Sequence, residues 1–326
     1  MPASPARHAL DAATDGLRAA GVEDPRLDAE LLLAEAMGVD RAMLVADSAS
    51  EVPAPAARAF GEMVRRRLRR EPVAYILGRK GFRHIELAVD RRVLVPRPET
   101  ELLVEVALER RPARLLDVGT GSGAIALAVA DELPGCEVVA TDTSPGALEV
   151  ARANAARLGL SERVRFVAGT LPGCEGDDRP TPGSAGSDSG PGFDLVLANL
   201  PYVPERDWSG LQPEVTQWEP REALLAGPDG LDAYRALIPD LDRILASPGD
   251  RHFPPIGGEM AITPAALAVE VGEGQAAAVG ELMTAAGFGA IEVRCDLAGI
   301  ERVVIGALVP LDTPGHVHAT RGEGER

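Results

Sequence analysis

Apolar residues recur every three to four positions in the first quarter of the chain. Ala9, Leu10, Ala13, Leu17 and Ala20 trace one helical face, and Leu27, Leu31, Leu32 and Ala34 trace another. Asp24-Pro25 predicts the start of the second helix, with Asp as N-cap acceptor and Pro in the first turn. A third helix is predicted from Pro55 to Arg70. Residues 1–78 therefore read as a small helical bundle with no strand pattern. The pattern changes at KGFRHIELAVDRRVLVPRP, where apolar and polar residues alternate and the run ends in prolines. Residues 79–98 read as a hairpin connector. From Glu99 strands and helices alternate. ARLLDVG, CEVVATD, RVRFVAG, FDLVLAN, LAVEVG, IEVRCD and RVVIGAL are the strands, and GAIALAVADEL and PGALEVARANAARLG are helices between them. Strands alternating with helices predict an α/β fold, a doubly wound and mostly parallel Rossmann-like sheet, over residues 99–310.

Three stretches break this pattern. Residues 172–192 are rich in Gly, Pro, Ser and Asp and read as a surface insertion. Residues 247–264 resist a regular assignment, and the tail at 311–326 has no periodicity and reads as disordered.

Composition narrows the function. The 326 residues carry 33 basic and 50 acidic side chains, a formal charge of −17. Domains that grip a phosphate backbone are usually basic, so a nucleic-acid substrate is disfavoured. Three cysteines, at 136, 174 and 295, fit neither a zinc site nor a disulfide framework. A reducing, cytoplasmic setting is the simplest reading. No signal peptide, membrane span or metal-ligand spacing is evident. Arg65, Arg66, Arg67, Arg69 and Arg70 form a basic run in this acidic chain. It reads either as a solvated helix end or as a docking surface for an acidic partner.

The first strand of the alternating region ends in Asp117-Val118-Gly119-Thr120-Gly121-Ser122-Gly123, where a helix begins. Glycines at alternate positions allow a sharp turn and close approach of a ligand at the carboxyl end of a strand. Asp142 closes the second strand, placed to accept both hydroxyls of a ribose; the bland alternative is a cap of the next helix, which Ser144 can supply instead. The G-x-G-x-G spacing behind an acid resembles the loop of S-adenosylmethionine (SAM) methyltransferases. In that resemblance Asp117 faces the amino-acid part of the cofactor.

FDLVLAN runs into Asn199-Leu200-Pro201-Tyr202. This resembles the N/D-P-P-Y/F tetrad of methyltransferases that act on planar nitrogen in DNA adenine, ribosomal guanine or protein glutamine. Such a nitrogen has a delocalised lone pair, and the sulfonium donor is already activated, so the chemistry needs alignment more than a strong base. The Asn199 side-chain oxygen and the Leu200 carbonyl can each accept one N–H of the substrate and fix the nitrogen in line. Tyr202 packs on the planar group or walls the pocket. Leu200 stands where the tetrad has its first proline; a carbonyl survives that change, and Pro201 still favours extended geometry at Leu200.

Further motifs discriminate among these enzymes. Pro72-Val-Ala-Tyr75-Ile76-Leu-Gly78, Val95-Pro96-Arg97-Pro98-Glu99-Thr100-Glu101, Glu219-Pro220-Arg221-Glu222-Ala223-Leu224 and Glu301-Arg302-Val303-Val304 resemble the bacterial HemK/PrmC family. The resemblance spans about residues 5 to 308. It implies a helical substrate-recognition domain at 1–78, a connector at 79–98 and a SAM-dependent catalytic domain at 99–310. It implies methylation of the glutamine amide in the Gly-Gly-Gln motif of class 1 peptide chain release factors, by a cytoplasmic monomer with no nucleic-acid substrate. The resemblance assigns Asp117, Val118, Gly119, Thr120, Gly121, Gly123, Asp142 and Asn199 to SAM, with Thr170 and Leu171 on the adenine side. Asn199, Leu200, Pro201 and Tyr202 hold the glutamine. Arg97 and Glu101 either bind cofactor or substrate or form a structural link between connector and catalytic domain. Two alternatives stay open: a nucleic-acid amino-methyltransferase with the same tetrad, and a noncatalytic protein that keeps the fold.

Overall fold

The computed structural model describes residues 5–171, 192–245 and 264–308. The insertions read at 172–192 and 247–264, apart from residues 192 and 264, and the tail from 311 lie outside the described residues. The chain opens with five helices: α1 (Ala6–Ala19), α2 (Pro25–Met37), α3 (Arg41–Ala46), α4 (Ala54–Leu68) and α5 (Val73–Leu77). Leu10, Leu17, Leu32, Leu33, Phe60 and Ile76 fill their shared core. The short helices α3 and α5 were not predicted, because five or six residues give periodicity too little length to show. Pro25 opens α2 as expected, but the Asp24 side chain makes no capping bond. Asp40 does cap its helix, accepting from the Ala42 N–H at 2.7 Å.

Strands β1 (Arg79–Phe82) and β2 (Ile85–Ala88) form an antiparallel hairpin. A turn of 3₁₀ helix at Pro98–Thr100 then leads into α6 (Glu101–Arg110), β3 (Arg114–Val118), α7 (Ala124–Glu132), β4 (Glu137–Asp142), α8 (Pro145–Leu158), β5 (Val164–Ala168) and β6 (Leu195–Ala198). The short helices α9 (Pro213–Trp218) and α10 (Asp232–Leu237) precede β7 (Ala266–Glu270), α11 (Ala276–Ala285), β8 (Phe288–Cys295) and β9 (Glu301–Leu308). Among the described residues one sheet has seven strands in the order β5-β4-β3-β6-β7-β9-β8. Strands β3 to β7 pair in parallel, and β9 runs antiparallel to β7 and β8. Leu195 to Ala198 and Ala266 to Glu270 are buried throughout. Helices cover both faces there, so continuous apolar runs replace alternation. One face packs on α6, α7, α8 and the hairpin; the other packs on α10 and α11.

After β3 the chain winds out through β4 to β5, then returns to the other side of β3 for β6 and β7. The crevice at the carboxyl ends of β3, β4 and β6 is thus a topological switch point, where such sheets bind ligands.

The basic run divides: Arg65 and Arg69 are exposed at the end of α4, whereas Arg66, Arg67 and Arg70 are drawn into ion pairs. Arg66 pairs with Glu71 at 2.6 Å, and Arg65 with Glu62 at 2.5 Å. Arg67 reaches Asp28 and Glu214, both at 2.6 Å, and Arg70 reaches Glu214 at 2.6 Å. Glu214 lies on α9, so these two arginines bind the N-terminal helices to the catalytic sheet's helical flank. Burial pushes the Glu214 carboxyl up, but hydrogen bonds from Arg70 and Arg67 outweigh it and hold the group below its usual range. The partners lie 144 and 147 residues apart in sequence, so local pattern carried no sign of them.

Candidate active site

The loop after β3 is built from the backbone. Gly119, Gly121 and Gly123 have φ of 74°, 56° and 85°, a region that L side chains rarely adopt. A Cβ on Gly123 would stand 2.8 Å from Leu127 Cδ1, so helix α7 packs directly on the loop. The N–H groups of Gly119 and Thr120 both donate to the Thr141 carbonyl at 2.9 Å, tying the loop to β4. Leu200 is buried, and its Cδ2 would lie 3.6 Å from a Cβ on Gly119. The loop and the tetrad therefore close on each other.

Asp117 sits behind this loop rather than in its wall. It is fully buried, and its Oδ2 accepts from Thr120 Oγ1 at 2.6 Å and from the Ala126 N–H at 3.2 Å. Oδ1 has no hydrogen-bond partner. Burial pushes the carboxyl up to about 7. Asp117 does not line the cavity beside this loop; through Oδ2 it supports the loop and the start of α7.

A cavity of about 330 Å³ opens beside the loop. Of the predicted residues, Val118, Gly119, Thr120, Gly121, Asp142, Thr170, Asn199, Leu200, Pro201 and Arg97 line it. Gly123 and Leu171 do not; Leu171 is buried in the core on that side of the sheet. Asp142 Oδ2 accepts from the Gly121 N–H at 2.9 Å, and Oδ1 accepts from the Ser144 N–H at 2.8 Å. Ser144 itself caps α8, accepting from the Ala147 N–H at 3.2 Å. Asp142 is thus not needed as that cap, and burial raises its pKa. A lined cavity of this size with a carboxylate in its wall fits the adenosine half of SAM.

A second cavity, about 180 Å³, lies beyond the tetrad. Leu94, Arg97, Asn199, Tyr202, Val203, Leu211, Val215, Ala223 and Leu224 line it. Tyr202 walls this cavity, and the Tyr202 carbonyl accepts from Gln275 Nε2 at 2.9 Å. Asn199 stands in the walls of both cavities. Its Nδ2 donates to Thr100 Oγ1 at 2.9 Å.

Arg97 and Glu101 do not pair with one another. Arg97 donates to the buried Glu219 at 2.5 Å and borders both cavities. Burial pushes the Glu219 carboxyl up, opposed by Arg97. Glu101 accepts from the Arg83 N–H at 3.0 Å in the hairpin turn, so it links connector to α6 and touches neither cavity.

Three residues near the site carried no role in the sequence reading: Glu214, Glu219 and Glu270. The last had a legible signal, since it is an acid at the end of the otherwise apolar strand Ala266–Glu270.

Residues 8–78 match the PrmC N-terminal domain family, and residues 115–218 match a methyltransferase domain family. A release factor glutamine methyltransferase of Caulobacter vibrioides is 42% identical over 310 residues, 94% of this chain and 97% of that protein. The release factor glutamine methyltransferase of Geobacter sulfurreducens is 39% identical over 304 residues, 93% of this chain and 96% of its own length. That of Rhodospirillum rubrum is 39% identical over 91% of this chain. The chain belongs to the release factor glutamine methyltransferase family. It is a SAM-dependent methyltransferase with a Rossmann-like catalytic fold behind a helical N-terminal region. Among the described residues no helix is long and apolar enough to cross a membrane.

Proposed function

We propose that this chain methylates the side-chain amide nitrogen of the Gly-Gly-Gln glutamine in class 1 peptide chain release factors. The observation that carries the reading is the position of Asn199 in the wall shared by both cavities. A nitrogen entering from the second cavity meets the Asn199 Oδ1 and the Leu200 carbonyl, two acceptors for its two N–H bonds. Holding both bonds fixes the nitrogen toward the first cavity and favours its developing tetrahedral form. SAM, when bound, supplies an activated methyl group and needs no added Lewis acid. Asp142 accepts from the ribose, the loop at Gly119 to Gly121 gives the backbone surface, and Thr170 lies on the adenine side. The apolar wall at Leu94, Val203, Leu211, Val215 and Leu224 excludes water from the amide.

Residues 1–78 act as the substrate-recognition unit, 79–98 as connector and 99–310 as catalytic domain. The Glu214 link supports this division of labour, because Val215 beside it belongs to the wall of the acceptor cavity. The formal charge of −17 favours a protein substrate over a nucleic acid.

The test is transfer of labelled methyl from SAM to a purified release factor, with mass spectrometry at the Gly-Gly-Gln glutamine. Label appearing only in DNA or ribosomal RNA overturns the reading. Asn199→Ala removes one of two placed acceptors and lowers kcat by about 10²-fold, the scale for losing one aligned polar group at a reacting centre. Undiminished turnover in that variant refutes the role of Asn199.

A further inference from the structure

The Asn199 amide has two ends, and only one is useful to a substrate –NH2. The oxygen end must face the acceptor cavity; with the NH2 end there, two donors would oppose each other. What sets the orientation lies outside the tetrad. Thr100 Oγ1 donates to Glu270 Oε2 at 2.6 Å. With Glu270 ionised, the Thr100 hydroxyl gives its one proton to that carboxylate, so toward Asn199 the Thr100 oxygen can only accept. Asn199 Nδ2 meets that need at 2.9 Å. The flipped amide would set its oxygen against a hydroxyl with no proton left to give. Among the described residues none donates to Asn199 Oδ1.

The parts of this relay come from three distant elements. Asn199 follows β6, Glu270 ends β7, and Thr100 closes the 3₁₀ turn before α6. Strands β6 and β7 are neighbours, with Ala198 opposite Val269, so Asn199 and Glu270 emerge side by side at the carboxyl edge. Thr100 and Glu270 are buried, at 4% and 2% exposure. Burying a carboxylate is costly, and a core acid without a task would be replaced at a gain. Glu270 is anchored on its second oxygen by a long bond from the Tyr202 hydroxyl at 3.4 Å, and its backbone carbonyl accepts from Tyr234 at 2.7 Å.

We propose that Thr100 and Glu270 are positioning residues that orient the Asn199 amide so that its oxygen faces the acceptor cavity. This rests on the amide-methylation reading above. Glu270 lines neither cavity and Thr100 borders the first; through this relay both act on Asn199.

The test compares matched pairs. Thr100→Val keeps shape and removes the hydroxyl, and Thr100→Ser keeps the hydroxyl. Glu270→Met removes the acceptor, and Glu270→Gln keeps one. Each is assayed for kcat and KM with release factor, for SAM affinity by calorimetry, and for melting temperature. Thr100→Val and Glu270→Met each lower kcat about tenfold, with SAM affinity held within about twofold, the scale of one aligned hydrogen bond. Thr100→Ser and Glu270→Gln stay within about threefold of wild type. The proposal is overturned if Thr100→Val and Glu270→Met both keep wild-type kcat. It is equally overturned if the conservative partners lose as much as the disruptive ones, or if SAM affinity falls in step with kcat. Should one variant fail to fold, the pair at the other residue decides. Wild-type protein that binds SAM yet methylates no release factor overturns the function reading itself, a result separable from any difference between variants.

Discussion

Glu214→Gln is the sharpest probe of how the two parts of the chain are held together. Glu214 accepts from Arg70 Nε at 2.7 Å and Nη2 at 2.6 Å, and lies 2.6 Å from Arg67 Nη1. The three side chains are 12%, 17% and 7% exposed, so solvent screens them little. Removing one partner of a buried pair costs about 3–5 kcal/mol, because a charge is left without compensation. Here the arginines keep other partners, which lowers the figure. Arg67 keeps Asp28 at 2.6 Å, and Arg70 Nη1 keeps the Ala20 carbonyl at 3.1 Å. Glutamine also leaves one acceptor in place. The expected loss is about 2–3 kcal/mol. With about 2.1 cal/mol/K of unfolding entropy per residue, that corresponds to a fall of roughly 3–4 °C in melting temperature. The assay is thermal and urea unfolding of both proteins at low salt and in molar salt. Exposed ion pairs fade in salt, whereas a buried one persists. A loss below about 1 kcal/mol, or one that vanishes in salt, refutes the buried link.

Other outcomes follow from the same contacts. Burial pushes the Asp117 and Glu270 carboxyls up to about 7, above their unfolded values of 3.8 and 4.5. Between those values and 7 the folded chain holds protons that the unfolded chain has released, so each group makes the fold less stable as pH rises through that window. The gain in stability from Glu270→Gln therefore grows between about pH 5 and 7.5, read as the difference in unfolding free energy from wild type; a difference flat with pH contradicts the assignment. Gly121→Ala and Gly123→Ala both place a side chain at positive φ, but only Gly123 has Leu127 Cδ1 2.8 Å from the added carbon. Gly121→Ala costs about 1–2 kcal/mol of backbone strain and Gly123→Ala at least about 1 kcal/mol more, so equal melting temperatures would contradict the packing of α7 on the loop. Asp142→Asn loses the charge and sets an NH2 against a backbone N–H, so SAM affinity by calorimetry drops about 10- to 100-fold; affinity within threefold of wild type would remove Asp142 from the site.

Much of this protein is legible in one dimension because its signals are local. Continuous apolar runs at 195–198 and 266–269 mark strands covered on both faces. Alternate glycines mark a backbone with positive φ, and an Asn-x-Pro-Tyr after a strand marks the sheet's carboxyl edge. Those features carried the class of fold, the glycine loop and the Asn199 stretch that borders both cavities. The sequence could not tell which charged side chains would find each other. Arg70 and Glu214 are 144 positions apart, Thr100 and Glu270 are 170 apart, and Arg97 and Glu219 are 122 apart. Nor could it place Asp117 behind the loop and Asp142 in the cavity wall, since both are acids that close a strand. Strand identity follows from the order of neighbouring residues, whereas the partner of a buried charge depends on which distant segments the sheet order brings to one edge. Only the tertiary fold decides that: it joins Arg67 and Arg70 to Glu214 on α9, and it sets the acid that ends an apolar strand on Thr100, the hydrogen-bond partner of Asn199.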